Sequence, residues 1–588
     1  MYKRLRSSKL LPVEAPTPQG SMQRQDGNVN NPLLQYPVLK NLFEANILNT
    51  MDLKNARLVC KEWAKASLDR WRKEATLTLT DNAPPSPDDN SASSSKDGLA
   101  LSEFLEMINT PGDPFHLLET KGFRKYNVKF SQDLCFSQPE KRIFWEKIGP
   151  LITHLQISKS RISSVEDLAG ILFKHLPNLE SFIYKNDFPL DTEDLPYPVD
   201  KYEMTLPWNW DEQLRPLDSQ ILKKLTKLDI TLKSECFPFS WAYFFARVPN
   251  IKELKLQSFP DYVYILPGGQ ELNELFSFFR SLQSVRETLG LNYFSLLSKL
   301  DLFEVYDERL NIFPMAILSL LRDLRLPLTF LAFDISCSTS LLAFPEILKL
   351  HSDTLETLKV FRSKCIRSIP REFPYGVDLP HLKELHLSGP IFKNLNFLKK
   401  LPKLRHLELD YCCILFKYFT GNFSRGVYKN VVLPRIETLW LSQEVCGRET
   451  VKGLKRLMAN LKKLKIGLGN QGFAEVCNTW KHLETLYVDP NFVTESAILG
   501  SVGGRKYSVP NITDLKELTT FAMGWEPGMT KGQLTSNSIV DGILACEKLK
   551  HVLIAAQPRA SHKVREMLTS KFPQNGSWSK TLSFRIGV

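Results

Sequence analysis

Hydrophobic residues recur along most of this chain in a triplet of fixed spacing. Each triplet is an apolar residue, a second one three positions later, and a third two positions after that. The last two members alternate with a single residue, which predicts a short β-strand that turns its apolar side chains to one face. The copies start at Ile152, Leu179, Leu225, Ile251, Leu297, Leu328, Leu355, Leu382, Leu404, Ile436, Leu461, Leu483, Leu518 and Leu549.

The distance between copies indicates how the strands are assembled. Neighbouring copies are mostly about 22 to 32 residues apart, with two intervals near 46 that must hold an insertion or a degenerate repeat. So short a unit buries its leucines only by stacking on the next one. The pattern resembles that of leucine-rich-repeat proteins. Residues 151–588 are therefore predicted to form an irregular α/β leucine-rich-repeat solenoid with a concave parallel sheet, in which helices or irregular turns return the chain between strands.

The N-terminal part of the chain has a different composition. Residues 1–35 are rich in Pro, Gln, Asn, Gly and Ser, which is typical of a flexible tail. Residues 36–75 have the pattern of a compact helical unit. Residues 80–98 contain Pro and Ser runs with almost nothing to bury, and we interpret them as a linker. Residues 99–150 are predicted to cap the solenoid, with helices over 101–108 and 142–148.

The helical unit contains an amphipathic segment, residues 52–63, whose apolar positions follow helical spacing and need a partner to cover them. The run Arg57-Leu58-Val59-Cys60-Lys61, followed by Trp63, resembles the second half of an F-box. The resemblance implies a small helical bundle that docks on the Skp adaptor subunit, and through it on the cullin scaffold, of a ubiquitin ligase. An ordinary helical hairpin capping the solenoid is the alternative. The residues implied in docking are Pro37, Leu42, Phe43, Leu48, Leu53, Leu58, Val59 and Trp63.

A candidate binding surface follows from the strand pattern. The residue between the last two apolar members of a triplet points away from the buried face. An exposed Trp and Tyr in such positions are the residue types that dominate protein interfaces. The alternative is that a neighbouring loop covers these aromatic residues. The predicted target-binding residues are Lys359, His386, Glu408, Trp440, Lys465 and Tyr487, with Phe361 one residue beyond its strand.

Two features of the sequence resemble parts of enzyme active sites: a glycine-rich motif and a histidine predicted to lie close to a glutamate. Residues 467–472 read Gly-Leu-Gly-Asn-Gln-Gly after a predicted strand, and Asp489 ends the next strand, as in dinucleotide-binding folds. That next strand comes only about 22 residues later, whereas a dinucleotide-binding βαβ unit needs roughly 30. We interpret the glycines as a turn within a repeat. Stacked strands would also bring His386 close to Glu408, either as an acid–base pair or as a polar surface contact, and we favour the contact. No catalytic residue and no cofactor is expected.

Composition narrows the remaining function classes. The 588 residues carry a net charge of +12 and ten scattered cysteines without a Cys-x-x-Cys pair, which favours reduced thiols over disulfides or zinc. No basic run interleaved with aromatic residues and no apolar run of about 18 residues is present, so neither nucleic acid nor a membrane is an expected partner. A cytoplasmic or nuclear location fits this composition.

Taken together, these features favour a non-catalytic adaptor. The N-terminal unit would bind the Skp adaptor subunit and the repeats would bind a target protein for ubiquitination by other subunits. The alternative is a leucine-rich-repeat interaction scaffold without a ligase role, and a nucleotide-dependent enzyme is a third, weaker hypothesis.

Overall fold

A computed structural model describes residue 70 and residues 74–80, 99–109, 123–129, 139–158, 168–186, 221–232, 241–257, 263–265, 271–290, 293–302, 321–335, 338–362, 376–388, 396–410, 432–489, 493–500, 509–523 and 541–554. The chain divides into two compact units, residues 1–76 and 77–588. The eight residues implied in Skp-adaptor docking lie outside the described residues, so that prediction is not tested by the structure.

The strands carry the repeat pattern. In chain order they are β1 (Thr76–Thr80), β2 (Leu99–Ala100), β3 (Lys125–Lys129), β4 (His154–Ser158), β5 (Ser181–Asn186), β6 (Lys227–Leu232), β7 (Glu253–Gln257), β8 (Val263–Ile265), β9 (Glu271–Asn273), β10 (Lys299–Leu302), β11 (Phe330–Ile335), β12 (Thr357–Arg362), β13 (Glu384–Ser388), β14 (His406–Asp410), β15 (Thr438–Cys446), β16 (Lys463–Leu468), β17 (Thr485–Val488), β18 (Thr520–Met523) and β19 (His551–Ile554).

Seventeen of these strands form one sheet. From β3 to β7, then from β7 to β10 and onward to β19, each strand pairs in parallel with the next along the chain. β1 pairs in parallel with β2 and also pairs with β3. A parallel sheet built in sequence order from short repeats is the topology of an α/β leucine-rich-repeat solenoid, as the triplets predicted.

The triplets are the core of this sheet. All fourteen lie on consecutive strands β4–β7 and β10–β19, and their second members stand opposite one another: Leu385 pairs with Leu407, and Leu407 with Leu439. These three leucines have no exposed surface. Burying a leucine stabilises a fold by about 1.5–3 kcal/mol relative to leaving it exposed, so the stacked columns hold neighbouring repeats together.

Helices return the chain between strands. They are α1 (Leu101–Asn109), α2 (Pro139–Ile148), α3 (Trp241–Phe245), α4 (Glu274–Leu289), α5 (Ser338–Leu350), α6 (Arg448–Leu457), α7 (Asn470–Thr479) and α8 (Glu495–Leu499). Shorter helical turns span Gly149–Leu151, Gly170–His175, Asn396–Lys400, Ile512–Asp514 and Ile543–Ala545. Helices and helical turns thus return the chain between several of the described strands, as the repeat pattern predicted.

The sheet begins earlier than residue 151. β3 follows the same spacing as the later repeats, with Phe123, Tyr126 and Val128 all buried. The rings of Phe104 on α1 and Phe144 on α2 pack edge-on against Tyr126, with centroids 6.3 and 5.7 Å away. Residues 99–150, predicted as a cap, therefore also contribute β2 and β3 to the sheet. The domain boundaries themselves stay predictions.

One of the two long intervals contains an insertion. Between β7 and β10 the chain forms an antiparallel pair, β8 with β9, and then the 16-residue helix α4. β10 still pairs with β7 in register, so the insertion leaves the sheet unbroken. The other long interval falls largely on residues 187–220, outside the described part of the chain.

Asparagine side chains join successive repeats at one fixed position. Asn178, Asn250 and Asn460 each stand one residue before a triplet. Their amides donate to the carbonyls of Pro150, Lys223 and Pro434 at 2.8, 2.8 and 2.9 Å. Each acceptor lies two residues before the preceding triplet. We call these three contacts the asparagine ladder.

Candidate protein-binding face

The alternation of each strand leaves one sheet face free of the apolar columns, and we call it the open face. Its middle column consists of the residues between the last two members of each triplet. The six predicted column residues follow one another as direct partners on β12–β17. At about 4.8 Å between strands they span about 24 Å. In order they are Lys359, His386, Glu408, Trp440, Lys465 and Tyr487, all partly exposed.

His386 is the centre of one group on this face. Its Nδ1 lies 3.1 Å from Oε2 of Glu408 on the next strand. The ring of Phe361 packs edge-on against the His386 ring, with centroids 4.7 Å apart. The predicted proximity of His386 to Glu408 is therefore confirmed. Phe361 was predicted one residue beyond its strand but lies within β12, and it packs against the same histidine.

The surroundings of His386 keep its ring neutral. Burial, followed by the positive charges of Lys359, His406 and Lys465, lowers the pKa of His386 to about 4. The contact with Glu408 at neutral pH is thus a hydrogen bond from a neutral imidazole to a carboxylate, because the ring would have to be protonated to form an ion pair. Nδ1 donates in this arrangement, which makes Nε2 an acceptor.

Trp440 is the centre of a second group. The His406 ring packs edge-on against it at a centroid distance of 5.1 Å, and Lys465 Nζ lies 5.7 Å from the Trp440 ring centroid. Lys359 makes a similar approach to Phe330, also at 5.7 Å. A lysine over an aromatic face is attracted by the ring quadrupole, so both lysines are held against rings rather than extended freely into solvent.

Two polar atoms of the middle column on β12–β17 lack hydrogen-bond partners among the described residues. They are Nε2 of His386 and Nε1 of Trp440, and both atoms are shielded from solvent. One is an acceptor and the other a donor, two strands or about 10 Å apart. A buried polar atom without a partner costs about 1–3 kcal/mol. Because neither atom is accessible to solvent, a molecule bound on the open face would reach them only after the surrounding side chains moved.

The sequence prediction missed His406, Phe330 and the column to which they belong. Both stand two residues before a middle-column position, His406 before Glu408 and Phe330 before Ala332. Side chains two apart on a strand share a face, so applying the same alternation one step further would have found them. We call these positions the first column, and those two residues after the middle column the third column; Phe361 belongs to the third.

The glycine motif forms part of an ordinary repeat. Gly467 lies in β16, Gly469 caps the N-terminus of α7, and Gly472 lies in the first turn of that helix. A Cβ on Gly472 would overlap the carbonyl oxygen of Cys446, so this glycine allows α7 to pack close to β15. β17 then pairs directly with β16. The predicted turn within a repeat accounts for all three glycines.

The described residues contain no other site with obvious chemistry. Within them, no group of three or more His, Cys, Asp or Glu side chains is placed to hold a metal ion. None of the described helices is long and apolar enough to cross a membrane. Cys446, Cys477 and Cys546 are buried and form no disulfide, and burial raises the pKa of the Cys546 thiol to about 12, so these thiols pack as small apolar groups.

Comparison with known proteins gives only weak structural similarities. No protein-family model matches the sequence, and no curated protein matches it. Among solved structures, the chain is similar to the Rad7 and Elc1 complex of yeast, with 16% identity and a TM-score of 0.37 over 60% of this chain and 81% of that one. It is also similar to an internalin from Listeria monocytogenes, with 13% identity and a TM-score of 0.24 over 76% of this chain and 89% of that one. The fold assignment therefore depends on the strand pairing itself.

Proposed function

We propose that this chain is a non-catalytic recognition adaptor whose repeats hold a target protein on the open face. The observation that carries the proposal is the middle column of β12–β17. It presents Trp440 and Tyr487, both partly exposed, among charged and polar side chains. Trp and Tyr are among the residue types most enriched in binding hot spots.

A polypeptide fits this face better than a small molecule. The column extends over six strands, and its chemistry alternates between charged, polar and aromatic side chains. A polypeptide offers apolar, polar and charged side chains along an extended length, and these complement such a column. Function would then arise from tethering, because one chain joins the bound protein to whatever the N-terminal unit holds.

We further propose that the N-terminal unit docks on the Skp adaptor subunit, which would make this chain the substrate-recognition subunit of a Skp–cullin–F-box ubiquitin ligase. The support is the sequence resemblance of residues 36–75 to an F-box and the Pro/Ser-rich stretch that separates them from the repeats. A cap is normally continuous with its repeats, whereas a docking module tolerates a linker.

The two halves of the proposal are tested with separate variants. Trp440→Ala should weaken binding of the target about 30-fold, since an interface hot spot contributes roughly 2 kcal/mol or more. The target is identified by affinity purification under proteasome inhibition with mass spectrometry, and its binding is then measured with purified proteins. Lys481→Glu, an exposed change in the same region of sequence but before β17, is the control and should leave the affinity within twofold. Equal affinity of wild type and Trp440→Ala would contradict the assignment of the open face.

Docking on the ligase is tested by pull-down with the purified Skp adaptor subunit. The wild-type chain should bind it and the Leu58→Asp, Val59→Asp double variant should not, because two carboxylates cannot be buried in an apolar interface without large cost. Binding that survives the double change would contradict the docking residues. No binding by the wild type, with the target still bound to the open face, would leave an interaction scaffold without a ligase role.

A further inference from the structure

The N-terminal half of the open face differs in charge from the half that carries Trp440. On β3–β7 and β10 the first column reads Lys, His, Ser, Lys, Glu, Lys, and the middle column reads Asn, Gln, Ile, Asp, Lys, Asp. The third column adds Lys129 and Lys185. Six lysines therefore face three carboxylates on this surface, which we call the basic half-face. Its lysines are Lys125, Lys129, Lys185, Lys227, Lys255 and Lys299.

Ion pairing within the sheet neutralises only part of this charge. Glu253 is shared by two lysines: Lys299 Nζ lies 2.6 Å and Lys227 Nζ 3.9 Å from its carboxylate oxygens. Within the described residues, no carboxylate forms an ion pair with the other four lysines, although all four are at least partly exposed. These are Lys125, Lys129, Lys185 and Lys255.

The positive charge of nearby lysines also acts on His154, a histidine of the first column. His154 on β4 is flanked by Lys125 on β3 and lies two strands from Lys227 on β6. Burial lowers the pKa of His154, and the charges of Lys125 and Lys227 lower it further against the opposing charge of Glu180. A cationic ring is thus disfavoured here, which is what a surface of positive potential requires.

The other side chains indicate what kind of anion this surface fits. In the described columns of β3–β7 and β10 no Phe, Tyr or Trp faces outward, so there is no platform on which a nucleic-acid base could stack. Asp229 and Asp301 in the middle column would repel a continuous phosphate backbone. The Asn127 side-chain oxygen accepts from Ser158 Oγ at 2.8 Å, which leaves the Asn127 amide N–H groups to meet a peptide carbonyl. Amides, hydroxyls and separated lysines complement a polypeptide with spaced carboxylates.

We infer that the basic half-face binds an acidic, extended segment of the target protein, whose carboxylates pair with Lys125, Lys129 and Lys185. The inference deepens the proposed function and rests on it, because it gives the chemical class of the protein that the open face holds. The acidic segment contacts β3–β7, and an apolar part of the same target contacts Trp440. Each exposed pair contributes modestly and is screened by salt, so the basic half-face acts chiefly on orientation and association rate.

The inference is tested by fluorescence anisotropy on the full-length chain with three labelled probes. One is a 20-residue peptide in which about a third of the residues are Asp or Glu, the second is the same peptide with Asn and Gln instead, and the third is a single-stranded 20-nucleotide DNA. The variant is Lys129→Glu, Lys185→Glu. The control, Lys400→Glu, Lys481→Glu, makes the same change of charge at exposed positions outside the strands.

The acidic peptide should bind the wild-type chain at least tenfold more tightly than its amide counterpart, and more weakly as salt increases. The Lys129→Glu, Lys185→Glu variant should lose at least tenfold in affinity, while the control changes less than twofold. Equal binding of the two peptides, equal loss in variant and control, or tighter binding of the DNA would each overturn the inference.

Failure of the inference and failure of the proposed function give different results. If target binding depends on Trp440 but is unchanged by Lys129→Glu, Lys185→Glu, the open face holds the target, and the inference that an acidic segment binds the basic half-face is wrong. If target binding is unchanged by Trp440→Ala as well, the open face is not the binding surface, and both proposals are wrong.

Discussion

Two glycines near the start of neighbouring helices are placed in very different surroundings. Gly447 caps the N-terminus of α6, and a Cβ added there would meet no atom within 4 Å. Gly472, in the first turn of α7, would place a Cβ onto the carbonyl oxygen of Cys446. Gly447 is exposed and Gly472 is buried, so the two positions differ in how closely the chain packs around them.

Gly472→Ala is therefore expected to destabilise the protein, whereas Gly447→Ala is expected to be mild. The added methyl at residue 472 forces α7 away from β15, and overpacking of this kind costs about 1–3 kcal/mol or more. At residue 447 the change removes only a good N-cap residue, at about 1 kcal/mol or less. Urea denaturation of both variants measures the difference. Equal loss of stability would show that the close approach of Gly472 does not constrain the fold.

For single residues, the sequence predicted the face of the sheet that each one occupies but not the contacts of its side chain. The alternation around Glu408 and Trp440 placed both side chains in the middle column, because strand geometry fixes which face a residue occupies. The edge-on contact of His406 with Trp440 and the approach of Lys465 to the same ring were not predictable in this way. They depend on side-chain rotamers and on the register between strands, neither of which a single repeat specifies.

At the scale of elements, the triplets identified fourteen strands and their order, since each copy carries the same buried spacing. β3 was overlooked because its triplet starts with Phe123, whereas every identified copy starts with Leu or Ile. The α4 insertion could be expected from the length of its interval, but the β8–β9 pair could not, because its three-residue strands are too short to show a period.

The asparagine ladder gives a prediction at this scale. Asn250→Ala should lower the free energy of unfolding by about 1 kcal/mol, because it removes the hydrogen bond to Lys223 and leaves a turn carbonyl without its partner. Asn460→Ala should cost about the same through Pro434. The two sites are far apart in sequence and share no partner, so the double variant should show the sum of the single losses.

Calorimetry or urea denaturation of the four proteins measures these effects. Ser352→Ala is a suitable control, because its hydroxyl bonds only to Lys349 within the same repeat, at 3.1 Å. A loss for Ser352→Ala as large as that for Asn250→Ala would contradict a special role for bonds between repeats.

At the scale of the whole molecule, five histidines distributed from β4 to β14 share one property. Burial is the first cause that lowers the pKa of each, and the pKa reaches about 4 for both His351 and His386. The other three are His154, His175 and His406. In the unfolded chain these rings take up a proton near pH 6.5, whereas the folded protein takes it up only at lower pH.

Stability should therefore be complete above about pH 6.5 and should fall as the pH drops from there toward 4. For His351 alone the loss at pH 5 is about 2 kcal/mol, because the unfolded state is protonated and the folded state is not. His351→Gln should flatten the dependence of stability on pH between 7 and 5, measured by urea denaturation. His482→Gln, an exposed control, should leave the slope unchanged. A wild-type stability that is constant over this range would contradict the burial of these rings.

The strict alternation of the sheet has a consequence for how this protein could change. Within the triplets of β12–β17, the last two apolar residues belong to the buried columns that hold the fold, and the residue between them belongs to the open face. The two sets lie on opposite sides of the sheet. The residues that would bind a target and the residues that stabilise the fold therefore occupy different positions of the same strands. New specificity could be introduced by exchanging middle-column residues one repeat at a time, in steps of about 4.8 Å, without repacking the interior.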